Sequence, residues 1–151
     1  MAIKTGNKAP DFTLPSTSGE DFVLSKTSKS KACVLYFYPK DFTSGCTKEA
    51  CSFRDNFEVF ENLNINIYGI SIDSISTHYK FKSNHNLPFE LLSDKEGKVS
   101  KLYKAHIPIL NISKRVTYLL DENHIITAIY KDMFNAKKHI IKMIEKVNHK
   151  K

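Results

Sequence analysis

Cys46 and Cys51 are the side chains of this sequence best suited to carry chemistry, and they stand five positions apart. Cys46 follows a loop that begins at Pro39, at a point where a helix is expected to start. Backbone N–H groups and the helix dipole at such a position favour an anion, so we expect them to stabilise the thiolate form of Cys46. Because the thiolate is the reactive form of cysteine, the pair predicts a thiol enzyme.

The spacing of the two cysteines predicts a change of conformation if they bond to each other. On an ideal helix, residues five apart are rotated by about 140° and their Cα atoms are roughly 8 to 9 Å apart. A disulfide needs a Cα separation of less than about 7 Å. The first turns of the helix must therefore unwind before Cys46 can reach Cys51. The sequence thus predicts a folded thiol state and a locally unfolded disulfide state.

A strand and a helix are expected to position Cys46. Residues 33–38 form a continuous apolar run, typical of a strand buried on both faces in a parallel sheet, and Pro39 ends it. Thr43 and Ser44 are suitable N-cap residues for the helix that follows. Apolar side chains then recur at spacings of four, three, four and three, which predicts one amphipathic helix. Its expected buried face consists of Cys46, Ala50, Phe53, Phe57 and Phe60.

The remaining pattern alternates strands with helices and ends in a hairpin. We expect an N-terminal β-hairpin from 9–15 and 22–24, a second buried strand at 65–72 joined by a parallel crossover, and a helix at 74–86. There follow a strand at 89–92, a helix at 94–103, an irregular loop at 107–111, a hairpin of strands 115–120 and 125–130, and a closing helix at 136–147. The sum is an α/β fold with a mixed central β-sheet flanked by helices, and Cys46 at the C-terminal end of a central strand.

The size and composition are those of a globular protein with a real core. The 151 residues fit a single domain, 1–151, and the hydrophobic content of 41% is ordinary for such a domain. The first residues do not resemble a signal peptide, and the longest apolar run, 32–38, is too short to span a bilayer. We therefore expect a cytoplasmic protein without a membrane partner. In that reducing compartment a cysteine pair is more often catalytic, redox-active or metal-binding than structural.

The net charge of +7 invites a nucleic-acid hypothesis, but the lysines are scattered, and only 146–151 is locally basic. A solvated Lys-rich surface is the simpler interpretation, and no nucleic-acid partner is predicted. No histidine stands at zinc-ligand spacing with a cysteine pair, and no glycine-rich phosphate loop is present, so neither a metal nor another cofactor is expected. Cys33, inside the buried run, is expected to be a small core side chain.

Residues 38–51, YPKDFTSGCTKEAC, followed by Phe53, Arg54 and Asp55, resemble the active-site segment of the peroxiredoxins. The resemblance is to the Q type, also called bacterioferritin comigratory protein. Further matches at 9–12, 69–71, 92–94 and 115–121 fall in the expected order, so nearly the whole chain is covered. This resemblance implies a thioredoxin-like fold and the reduction of hydrogen peroxide or organic hydroperoxides.

The resemblance also implies a role for each residue of the site. Cys46 matches the peroxidatic cysteine, whose thiolate attacks the O–O bond and becomes a sulfenic acid. Thr43 matches a threonine whose hydroxyl can bond the sulfur and the peroxide oxygen, and Pro39 would pack over the pocket and limit water access. Arg115 matches the arginine that binds thiolate and peroxide oxygens. Glu49 would orient an arginine, with a surface glutamate as the alternative.

Cys51 matches the resolving cysteine that some Q-type members carry five positions after the first. The resemblance thus implies an intramolecular Cys46–Cys51 disulfide, which an external dithiol such as thioredoxin reduces. It also implies a monomer. Ser44 departs from the family pattern, which has proline there, and this makes the loop less rigid.

Two alternatives to a peroxidase stay open at this point. The first is a thioredoxin-fold disulfide reductase or thiol transferase, whose cysteines should have two residues between them, whereas four intervene here. The second is a non-enzymatic holdase or nucleic-acid-associated module that uses the basic surface.

Overall fold

The computed structural model describes residues 3–131, 142–143 and 145–146. The strands are β1 (Thr13–Pro15), β2 (Asp21–Val23), β3 (Ala32–Phe37), β4 (Ile65–Ser71), β5 (Glu90–Ser93), β6 (His106–Ile107), β7 (Ile112–Ser113), β8 (Val116–Leu120) and β9 (Ile126–Lys131). The helices are α1 (Leu24–Thr27), α2 (Ser44–Asp55), α3 (Phe57–Asn62), α4 (Ile75–His85) and α5 (Lys98–Leu102).

Within the described part of the chain, a central sheet has five strands in the order β5-β4-β3-β8-β9. β4 runs parallel to both β3 and β5, whereas β8 is antiparallel to β3 and β9. β1 and β2 pair as an antiparallel hairpin that precedes this sheet. The predicted fold, a mixed central sheet with flanking helices and an N-terminal hairpin, is confirmed.

β3 is the middle strand, and its side chains alternate between two hydrophobic cores. Leu35 and Phe37 point into a core shared with the N-terminal hairpin and α5, whereas Val34 and Tyr36 enter the core beneath α2, α3 and α4. Burial on both faces explains why the run is apolar without alternation. Cys33 lies in the first core with no exposed surface, and burial raises the pKa of its thiol to about 12. Its thiolate is therefore strongly disfavoured at neutral pH.

The single helix expected from Cys46 to Phe60 is instead two helices, because α2 ends at Asp55 and α3 begins at Phe57. Asn56 separates them, and its side-chain amide donates to the carbonyl oxygen of Ser52 (2.8 Å). Such side-chain bonds to the backbone compete with the regular helical ladder. The apolar period survives the break because Phe53 and Phe60 stay buried in the same core.

The helix expected at 94–103 is also shorter than predicted, since α5 spans only Lys98–Leu102. The preceding residues form a turn in which Gly97 has a φ of 73°. The buried carboxylate of Asp94 accepts from the backbone N–H groups of Val99 (3.1 Å) and Ser100 (2.7 Å). Asp94 therefore caps the short helix from outside it, and this positive-φ glycine sets where the helix begins.

Smaller differences concern short elements. The loop expected at 107–111 is flanked by β6 and β7, which pair with each other. α1, which follows β2 directly, was not predicted. The closing helix expected at 136–147 lies mostly outside the described residues, although 142, 143, 145 and 146 are helical and Met143 is buried in the core beneath α2. None of the helices in the described residues has the length and apolar character needed to cross a bilayer.

Gly69 offers a direct test of how closely the central strands pack. It lies in β4 in register with Tyr36 and Leu91, and an added Cβ would stand 2.7 Å from Tyr36 Cζ and 2.9 Å from Leu91 Cδ2. We expect Gly69→Ala to lower the free energy of unfolding by about 1 to 3 kcal/mol through overpacking. Urea denaturation measures this change. Ser83→Ala, on the exposed face of α4, is the control and should stay within about 0.5 kcal/mol of the parent. Equal midpoints for Gly69→Ala and the parent would contradict the close packing.

Candidate active site

Cys46 lies in the first turn of α2, which follows the C-terminal end of β3 after a loop. Its residue exposure is only 1%. The first N–H groups of a helix have no intrahelical acceptor and carry the positive end of its dipole. The thiol is therefore held in a buried position where the local backbone favours negative charge, as the sequence predicts.

The guanidinium of Arg115 connects Cys46 to Glu49. Its Nη2 donates to Cys46 Sγ (3.4 Å) and its Nη1 to Glu49 Oε1 (2.6 Å). Arg115 directly precedes β8, which pairs with β3 so that Val116 lies opposite Phe37. This antiparallel pairing carries the arginine to the end of β3 at which Cys46 stands.

Gly45 allows the arginine to approach the helix start closely. A Cβ at this position would lie 3.0 Å from Arg115 Nη2, tighter than ordinary van der Waals contact. Sequence reasoning did not single out Gly45. Its place directly before the cysteine in the matched segment is the signal that could have drawn attention to it.

Burial shapes the electrostatics of this site. Glu49 has no exposed surface, and burial raises the pKa of its carboxyl to about 7, an effect that Arg115 opposes. Burial disfavours the charge of Arg115 as well, but attraction to Glu49 and Cys46 outweighs it and raises the pKa of the guanidinium. Arg115 thus stays cationic beside the sulfur. Of the two interpretations of Glu49, the surface position is wrong, since its side chain is enclosed and paired.

Two further predicted site residues, Thr43 and Pro39, lie in the loop between β3 and α2. Thr43 is the N-cap residue of α2, but its hydroxyl donates to the carbonyl oxygen of Lys40 (2.9 Å), so its proton is engaged within the loop and not by the sulfur. Its backbone carbonyl accepts from Thr47 N–H (2.9 Å). Pro39 is partly buried, two positions after the end of β3. The structure therefore places Thr43 and Pro39 in the loop that leads to the helix start, with the Thr43 hydroxyl turned to the loop backbone.

A buried hydrogen-bond network holds the first half of this loop. Asp41 is almost fully enclosed, and its carboxylate accepts from Tyr38 Oη (2.5 Å) and bonds His78 Nδ1 (2.6 Å). The other ring nitrogen of His78 donates to the carbonyl oxygen of Leu92 (2.9 Å), and Asp41 N–H donates to Asp73 Oδ2 (2.8 Å). Sequence reasoning missed this network, although Asp41 stands within the matched segment.

Asp41, Asp73 and His78 are also the one group of possible metal ligands found among the described residues. Asp41 Oδ2 already bonds His78 Nδ1, whereas Asp73 Oδ2 accepts from the backbone N–H of Asp41 and from Ser71 Oγ (2.5 Å). Hydrogen bonding accounts for this cluster, so we interpret it as the anchor of the loop.

Cys51 lies on the same helix as Cys46, partly buried. Cys33, Cys46 and Cys51 are all free thiols. An intact α2 that carries both thiols is the folded thiol state that the sequence predicts. Cys51 Sγ is 3.9 Å from His85 Nδ1, a contact that sequence reasoning also missed. The spacing of seven between His78 and His85 on a predicted helix could have indicated that both lie on one face of that helix.

The buried Glu49 predicts a specific dependence of stability on pH. Its folded-state pKa of about 7 exceeds the ordinary value of 4.5, so the folded protein holds this proton more tightly than the unfolded chain does. The contribution of Glu49 to stability is therefore fully present below pH 4.5 and is lost as pH rises towards 7. Glu49→Gln removes this titration, and the stability of the variant relative to the parent should rise by roughly 1 to 3 kcal/mol from pH 5 to pH 8.

Urea unfolding of both proteins at four pH values measures the difference. Glu61→Gln, exposed in α3, is the matched control, and its curve should run parallel to that of the parent. A parallel curve for Glu49→Gln would show that the carboxyl has an ordinary pKa.

Comparison with known proteins assigns this chain to a family. The model of the AhpC/TSA family matches residues 5–129. A putative peroxiredoxin bcp from Coxiella burnetii is 44% identical over 136 residues, which are 86% of this chain and 89% of the relative. The chloroplastic peroxiredoxin Q of Oryza sativa subsp. japonica is 42% identical over 139 residues, which cover 91% of this chain and 64% of that longer protein.

Solved structures agree with this assignment. Peroxidoxin BcpB from Mycobacterium tuberculosis superposes with a TM-score of 0.90 at 32% identity, over 97% of each chain. A PrxQ variant from Xylella fastidiosa superposes with a TM-score of 0.88 at 24% identity, over 99% of this chain and 98% of the other, and shows the likeness of fold. The buried cysteine at a helix start, the arginine that contacts it and these matches lead to one conclusion: the chain belongs to the AhpC/TSA family, as a peroxiredoxin of the Q, or bacterioferritin comigratory protein, type.

Proposed function

We propose that this chain is a thiol peroxidase that reduces hydrogen peroxide and organic hydroperoxides through Cys46, forms a Cys46–Cys51 disulfide and is recycled by a dithiol of the thioredoxin type. The observation that carries the proposal is the double contact of Arg115, which donates to Cys46 Sγ and Glu49 Oε1 at once. A buried thiol beside a permanent cation and a helix start has the environment of a reactive cysteine.

In the first step, the Cys46 thiolate attacks one peroxide oxygen and the O–O bond breaks. The sulfur becomes a sulfenic acid, and the second oxygen leaves as hydroxide or alkoxide, which takes up a proton to give water or an alcohol. Charge moves from sulfur to oxygen during this step. Arg115 stands where its planar donors can stabilise that charge, and Glu49 holds the guanidinium in place. Thr43 would assist by turning its hydroxyl towards the oxygen, and Pro39 by restricting water.

In the second step, the Cys51 thiol condenses with the Cys46 sulfenic acid to a disulfide and water. The intact α2 does not allow this bond, so its first turns unwind around Cys46. Both cysteines belong to one helix of one chain, so the disulfide needs no second subunit, which supports a monomeric enzyme. A reducing compartment such as the cytoplasm would supply the dithiol that reopens it.

Replacement of each cysteine should separate the two steps. Cys46→Ser removes the attacking sulfur, and we expect no peroxide consumption above the rate of buffer. Cys51→Ser should consume one equivalent of peroxide per chain and then stop with thioredoxin as reductant, because its sulfenic acid has no intramolecular partner. A colorimetric peroxide assay and mass spectrometry of the intact chain measure both outcomes. Cys33→Ser is the control and should cycle normally. Sustained peroxidase activity in Cys46→Ser would refute the proposed function.

The planar arrangement of donors in the Arg115 guanidinium should contribute to the rate of Cys46 oxidation in addition to its positive charge. A lysine keeps the charge but cannot reach Cys46 Sγ and Glu49 Oε1 with two fixed donors. We expect Arg115→Lys to slow oxidation of Cys46 by about 10 to 100-fold, since the loss of one aligned donor to a developing anion has effects of this order or larger. Rapid mixing with peroxide, quenching by a thiol alkylating reagent and mass spectrometry give the rate. Lys114→Arg, exposed next to the site, should match the parent. If Arg115→Lys reacts at the parental rate, only the charge of the arginine is needed.

A further inference from the structure

His85 is a titratable side chain that the peroxide step does not use, and it lies beside the second cysteine. Its Nδ1 stands 3.9 Å from Cys51 Sγ, within hydrogen-bond reach of a sulfur atom. A neutral imidazole with its proton on Nε2 presents a lone pair at Nδ1, which can accept the proton of a thiol. His85 is the last residue of α4, so this contact joins two helices.

Two aromatic rings hold the imidazole of His85 in place. Phe81, one turn earlier on α4, has its ring centroid 5.1 Å from that of His85 in an edge-on arrangement. Phe42, from the loop that precedes Cys46, lies 6.5 Å away, and it also packs edge-on against Phe81 at 5.1 Å. These contacts restrict rotation of the imidazole and direct its Nδ1 towards α2. They also place a residue of the loop next to the histidine.

Arg54 ties the end of α4 to the second half of α2. Its Nη1 donates to the backbone carbonyl oxygen of His85 (2.7 Å), and its Nε donates to Asp55 Oδ1 (3.0 Å). Arg54 follows Cys51 by three positions, so both lie on neighbouring parts of the helix surface. The hydrogen bond to Asp55 is the main cause of the raised pKa of Arg54, and the charge of Cys51 contributes to it.

The position of this contact matters when α2 unwinds. The unwinding required for the disulfide involves the first turns, which carry Cys46, whereas Cys51 and Arg54 belong to the second half of Ser44–Asp55. The Arg54 contact can therefore keep Cys51 beside the imidazole while Cys46 moves towards it. Such an arrangement leaves the resolving thiol stationary and its base in reach.

We propose that His85 is the general base of the resolution step, which rests on the proposed peroxidase function. Nδ1 takes the proton from Cys51, and the resulting thiolate attacks the sulfur of the Cys46 sulfenic acid. The S–S bond forms as the S–O bond breaks, and the imidazolium returns its proton to the departing hydroxide, which leaves as water. The proton taken from Cys51 thus ends on the departing oxygen. No outside oxidant or reductant enters, and His85 ends the step neutral.

The size of the expected effect follows from the chemistry of thiols. An ordinary cysteine thiol with a pKa near 8.5 is only a few per cent thiolate at pH 7. A base that delivers the thiolate on demand can therefore accelerate resolution by at most about thirtyfold at that pH. We expect His85→Ala to slow disulfide formation by about 10 to 30-fold at pH 7 while leaving the oxidation of Cys46 unchanged.

A single-turnover experiment separates the two steps. The reduced full-length protein is mixed with one equivalent of hydrogen peroxide, quenched at intervals with a thiol alkylating reagent and analysed by mass spectrometry, because the chain has no tryptophan to report by fluorescence. Sulfenic acid and disulfide are counted separately. His106→Ala, a histidine of the β6–β7 hairpin that bonds Asn111, is the matched control and should form both at parental rates.

Added imidazole distinguishes a chemical role of His85 from a structural one. If His85 is the base, free imidazole should restore disulfide formation in His85→Ala in proportion to its concentration, with no effect on the parent. His85→Gln, which fills the space but cannot accept a proton, should be as slow as His85→Ala. A parental rate of disulfide formation in His85→Ala overturns the inference. The inference is also overturned if His85→Ala forms the disulfide slowly, imidazole does not restore its rate and His85→Gln forms the disulfide at the parental rate. Failure of Cys46 to oxidise in the parent would instead overturn the proposed peroxidase.

Discussion

The contact on which the site depends is the enclosed pairing of Arg115 with Glu49 and Cys46. Removing an arginine and a carboxylate from water costs several kcal/mol for each ion, and only well-aligned partners offset that cost. Here the guanidinium has Glu49 on one arm and the sulfur on the other. The carboxyl of Glu49 therefore positions the arginine. It fixes the guanidinium plane, and the remaining donor faces the sulfur.

The rest of the fold serves to bring these groups together and to keep them aligned. Cys46 and Glu49 are on the helix that follows β3, whereas Arg115 comes from the start of β8, far along the chain. The antiparallel pairing of β8 with β3 brings the start of β8 next to the C-terminal end of β3, so the two segments lie at the same end of these strands. β3 is buried on both faces, which fixes the strand from which the loop to Cys46 departs. The close approach at Gly45 completes the alignment.

In the proposed catalytic cycle, the same site must also release Cys46 from its buried position so that the disulfide can form. Two anchors flank the part that moves. On one side, Asp41 is bonded to His78 and Tyr38 in the core, and on the other, Arg54 bonds the end of α4 at His85. Between them Phe42 has a positive φ of 66°, an unusual backbone for a bulky residue, and its side chain is half exposed on Phe81. In the proposed cycle, local unfolding confined between these two anchors would bring one sulfur to the other without disturbing the sheet.

The local features of this protein follow from neighbouring residues of the chain. The unbroken apolar run of β3, the helix start after Pro39 and the alternation of strands with helices are decided by side chains close together in the chain, so they could be predicted. The motif around Cys46 indicated the chemistry for the same reason. The break at Asn56 and the short α5 escaped prediction, because a side chain that bonds nearby backbone leaves the apolar period unchanged.

Contacts between groups that are far apart in the chain depend instead on how the elements pack. The burial of Glu49 against Arg115 and the contact of His85 with Cys51 depend on how α2 packs against β8 and α4. From the sequence, a glutamate in the first turns of a helix is equally compatible with a surface position. A histidine near a helix end likewise does not indicate which residue it will contact. Such pairings arise from the summed packing of the whole sheet and its helices, which no local pattern encodes.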